Sequence, residues 1–235
     1  MTTAPLILGI PSKGRLMEQA SEYFAAYGMN FTRLGHERGY RGAVEGMPGI
    51  EIAYLSASEI ARHLQLGRIH LGVTGEDLIR EHIPDADERC HFLARLGFGR
   101  ADVVVAAPDC WIDLEGVGDL EEIGAIFHRQ HGRRLRVATK YMNLTRRFFA
   151  ERGFASYRIV ESLGATEGTP AAQTAEVIVD ITTTGTTLRA NHLKILADGV
   201  ILRSEACLVA SRMADWSPSS QAAEARLCDR LVTAA

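Results

Sequence analysis

Asp180-Ile181-Thr182-Thr183-Thr184-Gly185-Thr186-Thr187-Leu188 is the stretch whose reading decides the fold. Ahead of it, Ala175-Glu176-Val177-Ile178-Val179 is β-branched and apolar, the pattern of a buried parallel strand. Behind it, Leu188 to Lys194 reads as helix, with Leu188 and the Ala190/Leu193 pair at helical spacing. The turn between them is built of hydroxyls and one glycine. A strand that runs straight into a helix aims free backbone N–H groups and the positive end of the helix dipole into the turn. Thr hydroxyls add donors without charge, so the turn suits a dianionic phosphate. A β-hairpin turned at Thr-Gly is the competing reading, but no alternating strand follows Gly185. A Walker loop is excluded, because no Gly-Lys-[Ser/Thr] is present.

Asp180, at the strand end, places a carboxylate beside the phosphate turn, where it can take ribose hydroxyls or a metal. The stretch resembles the ribose-5-phosphate loop of phosphoribosyltransferases.

Working outward, the same strand-turn-helix unit recurs. Leu6 to Pro11 is a short apolar strand, followed by Ser12-Lys13-Gly14-Arg15 and a helix from Leu16 to Tyr27. Lys13 and Arg15 sit where a helix N-terminus helps them hold an anion, against the plainer reading of a solvated pair. Arg33 to Gly49, with Arg38 and Arg41, reads as a polar surface loop. Ile50 to Leu55 alternates as a strand, and Ser56 with Glu59 forms a capping box for the next helix. Ile69 to Gly75 is another strand; its glycines Gly72 and Gly75, flanking Thr74, suggest close backbone approach by a ligand, with Glu76 and Asp77 opening a helix. Asp119 with Glu122 looks like a second capping box. Leu135 to Thr139 is a strand, Lys140-Tyr141-Met142-Asn143 its corner, and Asn143 a good N-cap. Lys140 thus repeats the location of Lys13, and the chain has only three lysines. Glu167 is a lone acid in an irregular loop. Strands alternating with helices, each with ligand-like residues at its carboxyl end, argue for parallel α/β sheets. There is no internal repeat and no disordered linker.

The 235 residues suffice for one large or two small domains. No apolar run approaches the roughly 20 residues of a membrane helix, and the N-terminus lacks signal-peptide character; a cytoplasmic location, away from any membrane, is expected. Four scattered cysteines suggest neither a zinc site nor a disulfide framework. A net charge of −3 argues against general nucleic-acid binding.

Taken together, Ile10-Pro11-Ser12-Lys13-Gly14-Arg15-Leu16, Gly72 to Asp77, Ala138 to Thr145 and the Asp180–Leu188 loop resemble the ATP phosphoribosyltransferase family over nearly the whole chain. Arg203-Ser204-Glu205-Ala206 also fits. The resemblance implies a two-lobed α/β fold like type II periplasmic binding proteins, with the active site in the inter-lobe cleft. The first lobe would comprise 1–97 with 188–212, the second 98–187, and 213–235 a C-terminal helix. The implied reaction joins N1 of ATP to C1 of phosphoribosyl pyrophosphate (PRPP), releases pyrophosphate and requires Mg²⁺. The implied catalytic residues are Lys13, Arg15 and Asp180, with Asp180 the metal contact. PRPP would be held by Asp180, Thr183, Thr184, Gly185, Thr186 and Thr187. ATP would be held by Lys13, Arg15, Gly72, Thr74, Glu76, Asp77, Lys140, Tyr141, Asn143 and Glu167. Ser12 intrudes on the commoner Pro-Lys-Gly-Arg pattern, and Met142 stands where Pro is usual. Longer family members carry a C-terminal histidine-binding domain. The resemblance is to the short form, which works in a hetro-oligomer with a regulatory subunit resembling histidyl-tRNA synthetase, or as a homodimer by itself. A non-catalytic two-lobed binding protein and a different phosphoribosyltransferase are the competing classes; most of the latter place two adjacent acids before the loop, whereas Val179 precedes Asp180 here.

Overall fold

The computed structural model describes residues 4–34 and 39–233; Arg38 lies outside the described residues. The chain divides into two compact units, one formed by Met1–Gly99 with Glu205–Ala235 and the other by Arg100–Ser204.

The first unit begins with β1 (Leu6–Pro11), whose alternate residues Leu6, Leu8 and Ile10 are fully buried. Then come α1 (Arg15–Ala26), β2 (Phe31–Arg33), β3 (Arg41–Val44), β4 (Ile50–Leu55) and α2 (Ala57–Gln65). They are followed by β5 (Leu71–Gly75), α3 (Glu76–His82), α4 (Ala86–Arg89) and β6 (Cys90–Arg95). The second unit runs β7 (Ala101–Pro108), α5 (Asp119–His131), β8 (Leu135–Thr139), α6 (Met142–Glu151), β9 (Tyr157–Glu161), β10 (Val177–Thr182), α7 (Thr186–Ala190) and β11 (Leu193–Ser204). The chain then returns to the first unit as β12 (Ala206–Ser211) and α8 (Pro218–Thr233).

The first sheet has the order β2-β3-β4-β1-β5-β12-β6. Its centre is parallel, since β1 pairs in that sense with both β4 and β5. That puts the ends of three strands, at Pro11, Leu55 and Gly75, on one edge. The flanks are antiparallel, β2-β3-β4 on one side and β5-β12-β6 on the other. The second sheet, β11-β7-β10-β8-β9, is also mixed. Its middle strand β10 is parallel to β8 and antiparallel to β7. The expectation of parallel sheets therefore holds only for β4-β1-β5 at the centre of the first sheet and β10-β8-β9 on one side of the second.

Several expectations are corrected. Residues 188–204 stay in the second unit, because β11 pairs with β7 from Leu193 to Ser204; only from Glu205 does the chain rejoin the first. The helix expected through Lys194 stops at Ala190, and Lys194 is a strand residue whose Nζ donates to the Trp111 carbonyl at 2.6 Å. The C-terminal helix is part of the first unit, since Ala223 and Leu227 enter its core. The loop expected at 33–49 begins on the last residue of β2 and contains β3. Asp119 is the first residue of α5 and accepts from the amides of Glu115 and Gly116, so it closes the preceding turn instead of forming a capping box with Glu122. Tyr141, not Asn143, occupies the N-cap of α6. At Ser56 the expected box is present: its Oγ accepts from Glu59 N–H at 3.3 Å and Glu59 Oε2 accepts from Ser56 N–H at 2.8 Å.

Candidate functional site

In the second unit, pairing fixes the location of the chemistry. Val179 lies opposite Thr139 in the parallel β10-β8 ladder, so Asp180 and Lys140, each one residue on, emerge side by side. Lys140 Nζ is 3.9 Å from Asp180 Oδ1. A cavity of about 370 Å³ opens there, lined by Lys140, Glu167, Asp180, Thr182, Thr183, Thr184 and Thr187 among others, but not by Gly185 or Thr186. Lys140, Glu167, Asp180, Thr183, Thr184 and Thr187 are thus brought together as the sequence suggested.

Asp180 is half-buried, and its Oδ1 accepts from the Ile181 amide at 2.8 Å. Burial pushes its carboxyl above the usual carboxylate value; the Ile181 N–H and the Lys140 ammonium pull the other way, and the Glu167 carboxylate adds to the rise.

The turn itself is pre-organised. Gly185 has φ +70°, a left-handed conformation that costs glycine little, and its N–H donates to Thr182 Oγ1 at 2.9 Å. Thr184 and Thr186 hydroxyls share a 2.8 Å hydrogen bond. The Arg189 guanidinium reaches back to the Thr184 carbonyl at 3.1 Å and Thr186 Oγ1 at 3.3 Å. Sequence reading missed Arg189; the signal was its spacing, three residues past Thr186, where helix neighbours meet. It gives the otherwise neutral turn a cation.

Tyr141 and Asn143 do not line this cavity. The Tyr141 ring is buried beneath the Lys140 ammonium, 5.2 Å from its centroid, while Asn143 Oδ1 accepts from Arg146 at 3.3 Å.

In the first unit, Lys13 and Arg15 are exposed on the corner between β1 and α1. Gly14 is the N-cap between them, and its carbonyl accepts from Met17 N–H at 2.9 Å. At the end of β5 the residues are engaged internally, which corrects the expected ligand wall. A Cβ on Gly72 would lie 2.5 Å from Ile60 Cγ2, so the close approach is by α2. Thr74 is wholly buried and donates to the Ala57 carbonyl at 2.9 Å. Glu76 is buried with Oε1 2.7 Å from Arg80 Nε and Oε2 2.6 Å from Arg95 Nη2. The second contact is a charge pair too poorly aligned to count as a hydrogen bond. Asp77 is buried as well.

Mg²⁺ takes oxygen ligands and usually sits on one or two carboxylates plus substrate phosphates. Among the described residues no cluster of three His, Cys, Asp or Glu side chains could cage a metal. Asp180, with Glu167 across the cavity, fits an ion that arrives with a phosphate substrate.

The fold and the two corners define a two-unit α/β protein of the type II periplasmic-binding-protein kind. A histidine kinase sensor domain with similarity to periplasmic binding proteins superposes with a TM-score of 0.52 over 97% of this chain and 89% of that one, at 15% identity, a likeness of fold alone. The family model for ATP phosphoribosyltransferase (HisG) matches residues 56–232, and the chain belongs to that family. It is 57% identical to the ATP phosphoribosyltransferase of Rhodopseudomonas palustris (strain BisB18) over 99% of this chain and 72% of that protein. Among solved structures, the ATP phosphoribosyl transferase (HisG:HisZ) complex from Thermotoga maritima matches with a TM-score of 0.73 and 25% identity, over 97% of each chain. The chain is therefore an enzyme that transfers the phosphoribosyl group of PRPP to N1 of ATP and releases pyrophosphate, the first step of histidine biosynthesis.

Proposed function

We propose that the threonine turn of the second unit is the PRPP cradle and that Lys13 and Arg15 stabilise the departing pyrophosphate. The observation that carries this reading is the cavity that gathers Lys140, Glu167 and Asp180 with Thr182, Thr183, Thr184 and Thr187. Backbone N–H groups, the hydroxyls of Thr183, Thr184, Thr186 and Thr187, and Arg189 would hold the 5-phosphate. Asp180 would orient ribose hydroxyls, as an acceptor that releases its burial cost when it gains donors. Mg²⁺ bound with the substrate would contact Asp180, and its charge would offset that of the pyrophosphate.

Displacement at C1 develops cationic character on the ribose and negative charge on the leaving group. No protein nucleophile is needed; positioning and charge stabilisation supply the catalysis. Exposed cations at a strand-helix corner suit that role, which Lys13 and Arg15 fill. Lys140 and Glu167 are the ATP contacts supported by the cavity. Tyr141, Asn143, Gly72, Thr74, Glu76 and Asp77 would act by supporting the walls. The cytoplasm is the compartment we assign to this reaction.

The T. maritima match also supports a hetero-oligomer, with a regulatory subunit such as the one named in that complex. The leaving-group role is tested by single-turnover formation of phosphoribosyl-ATP. Arg15→Ala should slow that step by on the order of tenfold to a thousandfold with the fold intact. A rate equal to wild type would remove Arg15 from the mechanism.

A further inference from the structure

We infer that Arg33, on β2, is a positioning residue that fixes the peptide ahead of Lys13; the inference rests on the leaving-group role proposed for Lys13 and Arg15. Ser12 is where β1 gives out. Its N–H still pairs with the Leu55 carbonyl of β4, at 2.7 Å. Its carbonyl points past the end of the ladder, and there Arg33 Nη2 donates to it at 3.2 Å. Arg33 Nη1 donates to the Gly39 carbonyl at 3.3 Å, which ties the corner to the far end of the β2–β3 connection. The guanidinium carbon lies over the Tyr54 ring, 4.0 Å from its centroid, and Nη2 also lies 3.8 Å from Met17 Sδ.

Tyr54 is itself buried, and burial comes first in raising its phenol above the ordinary value, with the Arg33 charge opposing. The ring is therefore a fixed platform, and the planar fork stacked on it has little freedom left. Ser12 is thus held at both its peptide groups, its N–H by a strand partner and its carbonyl by Arg33. Gly14, two residues on, has φ +77° and contributes no side chain to restrain the corner. Without Arg33 the carbonyl of the Ser12–Lys13 peptide would lose its side-chain donor, and Lys13 would be placed only by the Ser12 N–H before it and the Gly14 cap of α1 after it.

Misplacing a catalytic group by about 1 Å can cost on the order of a hundredfold in rate. Arg33→Ala should therefore lower kcat about tenfold to a hundredfold, with much smaller changes in KM for ATP and PRPP. Arg33→Lys keeps the apolar stem on Tyr54 and the charge, but a compact ammonium cannot serve two carbonyls in one plane. It should retain most of the kcat loss while melting close to wild type. The decisive measurement is the cycle with Lys13→Ala: residues acting through one another are not additive. In the Lys13→Ala background Arg33→Ala should cost far less than in wild type. A full additive loss there, or restoration of wild-type kcat by Arg33→Lys, would overturn the assignment. Should Arg33→Ala melt early, Arg33→Lys carries the test alone, in both backgrounds. If Lys13→Ala itself leaves the rate unchanged, it is the leaving-group reading that fails.

Discussion

Asp180 meets two opposed demands. Its carboxylate is wanted by ribose hydroxyls and by a metal, yet burial makes its ionised form costly in the folded chain. Because its folded pKa lies above the unfolded one, the native state holds the proton more tightly. Stability is then lost as pH rises from the unfolded value through the folded one, and the penalty persists at neutral pH. Asp180→Asn keeps an acceptor for the Ile181 amide and removes the charge. The variant should melt at or above the wild-type temperature at neutral pH, converge with it in acid, and lose most activity. Thermal scans at both pH values check this, and a neutral melting point well below wild type would contradict it. At this scale the sequence was legible where a residue's chemistry is unusual for its position. A run of threonines broken by one glycine, and lysines at two strand ends, are uncommon enough to point to a site. Gly72 and Thr74 were not legible, because a glycine beside a strand signals close approach without saying whether a ligand or a helix approaches. Here it is α2, through Ile60 and Leu64.

β10 shows how an element can carry more than its pattern states. Its apolar run was readable as a central strand, but nothing in that run distinguishes the antiparallel partner β7 from the parallel partner β8. β11 was misread in part because Ala190 and Leu193 satisfy helical spacing, while the bulges that let β11 run on to Ser204 leave an irregular apolar pattern. What registers β10 against β8 is Glu176, just before the strand. Its Oε2 accepts from Arg136 N–H at 2.8 Å, and its two oxygens take the Arg133 fork at 3.0 and 3.1 Å. Burial raises its pKa, but Arg136, Arg133 and the Arg136 amide outweigh burial and bring it down to about 2. The stability from this clamp is present above the ordinary glutamate value and is lost as pH falls through about 2. Glu176→Gln should cost roughly 1.5–3 kcal/mol at neutral pH, as expected for hydrogen bonds to a charged group. The gap should narrow in acid. Denaturant midpoints at the two pH values measure it, and a gap that is the same at both would contradict the clamp.

The whole molecule departs from sequence order in one respect that patterning alone does not show: β12 and α8, from the end of the chain, complete the sheet and core begun by β1. Only the family resemblance led to that expectation, and it moved the return point from Glu205 back to residue 188. The proposed regulatory partner belongs to this scale too. Light scattering on the purified chain with and without a subunit like that of the T. maritima complex should give a larger mass for the mixture; an unchanged mass would contradict a hetero-oligomer. The central claim is that the intact chain binds PRPP through the threonine turn. It is tested most directly by calorimetric titration of PRPP and, separately, of ATP into wild type and Thr186→Val. Removing a hydroxyl that bonds Thr184 and Arg189 in the proposed cradle should weaken PRPP binding by about tenfold or more, equivalent to a charged hydrogen bond of roughly 1.5–3 kcal/mol, and leave ATP binding nearly unchanged. Unchanged PRPP affinity in a folded variant, or an equal loss for both substrates, would contradict the account.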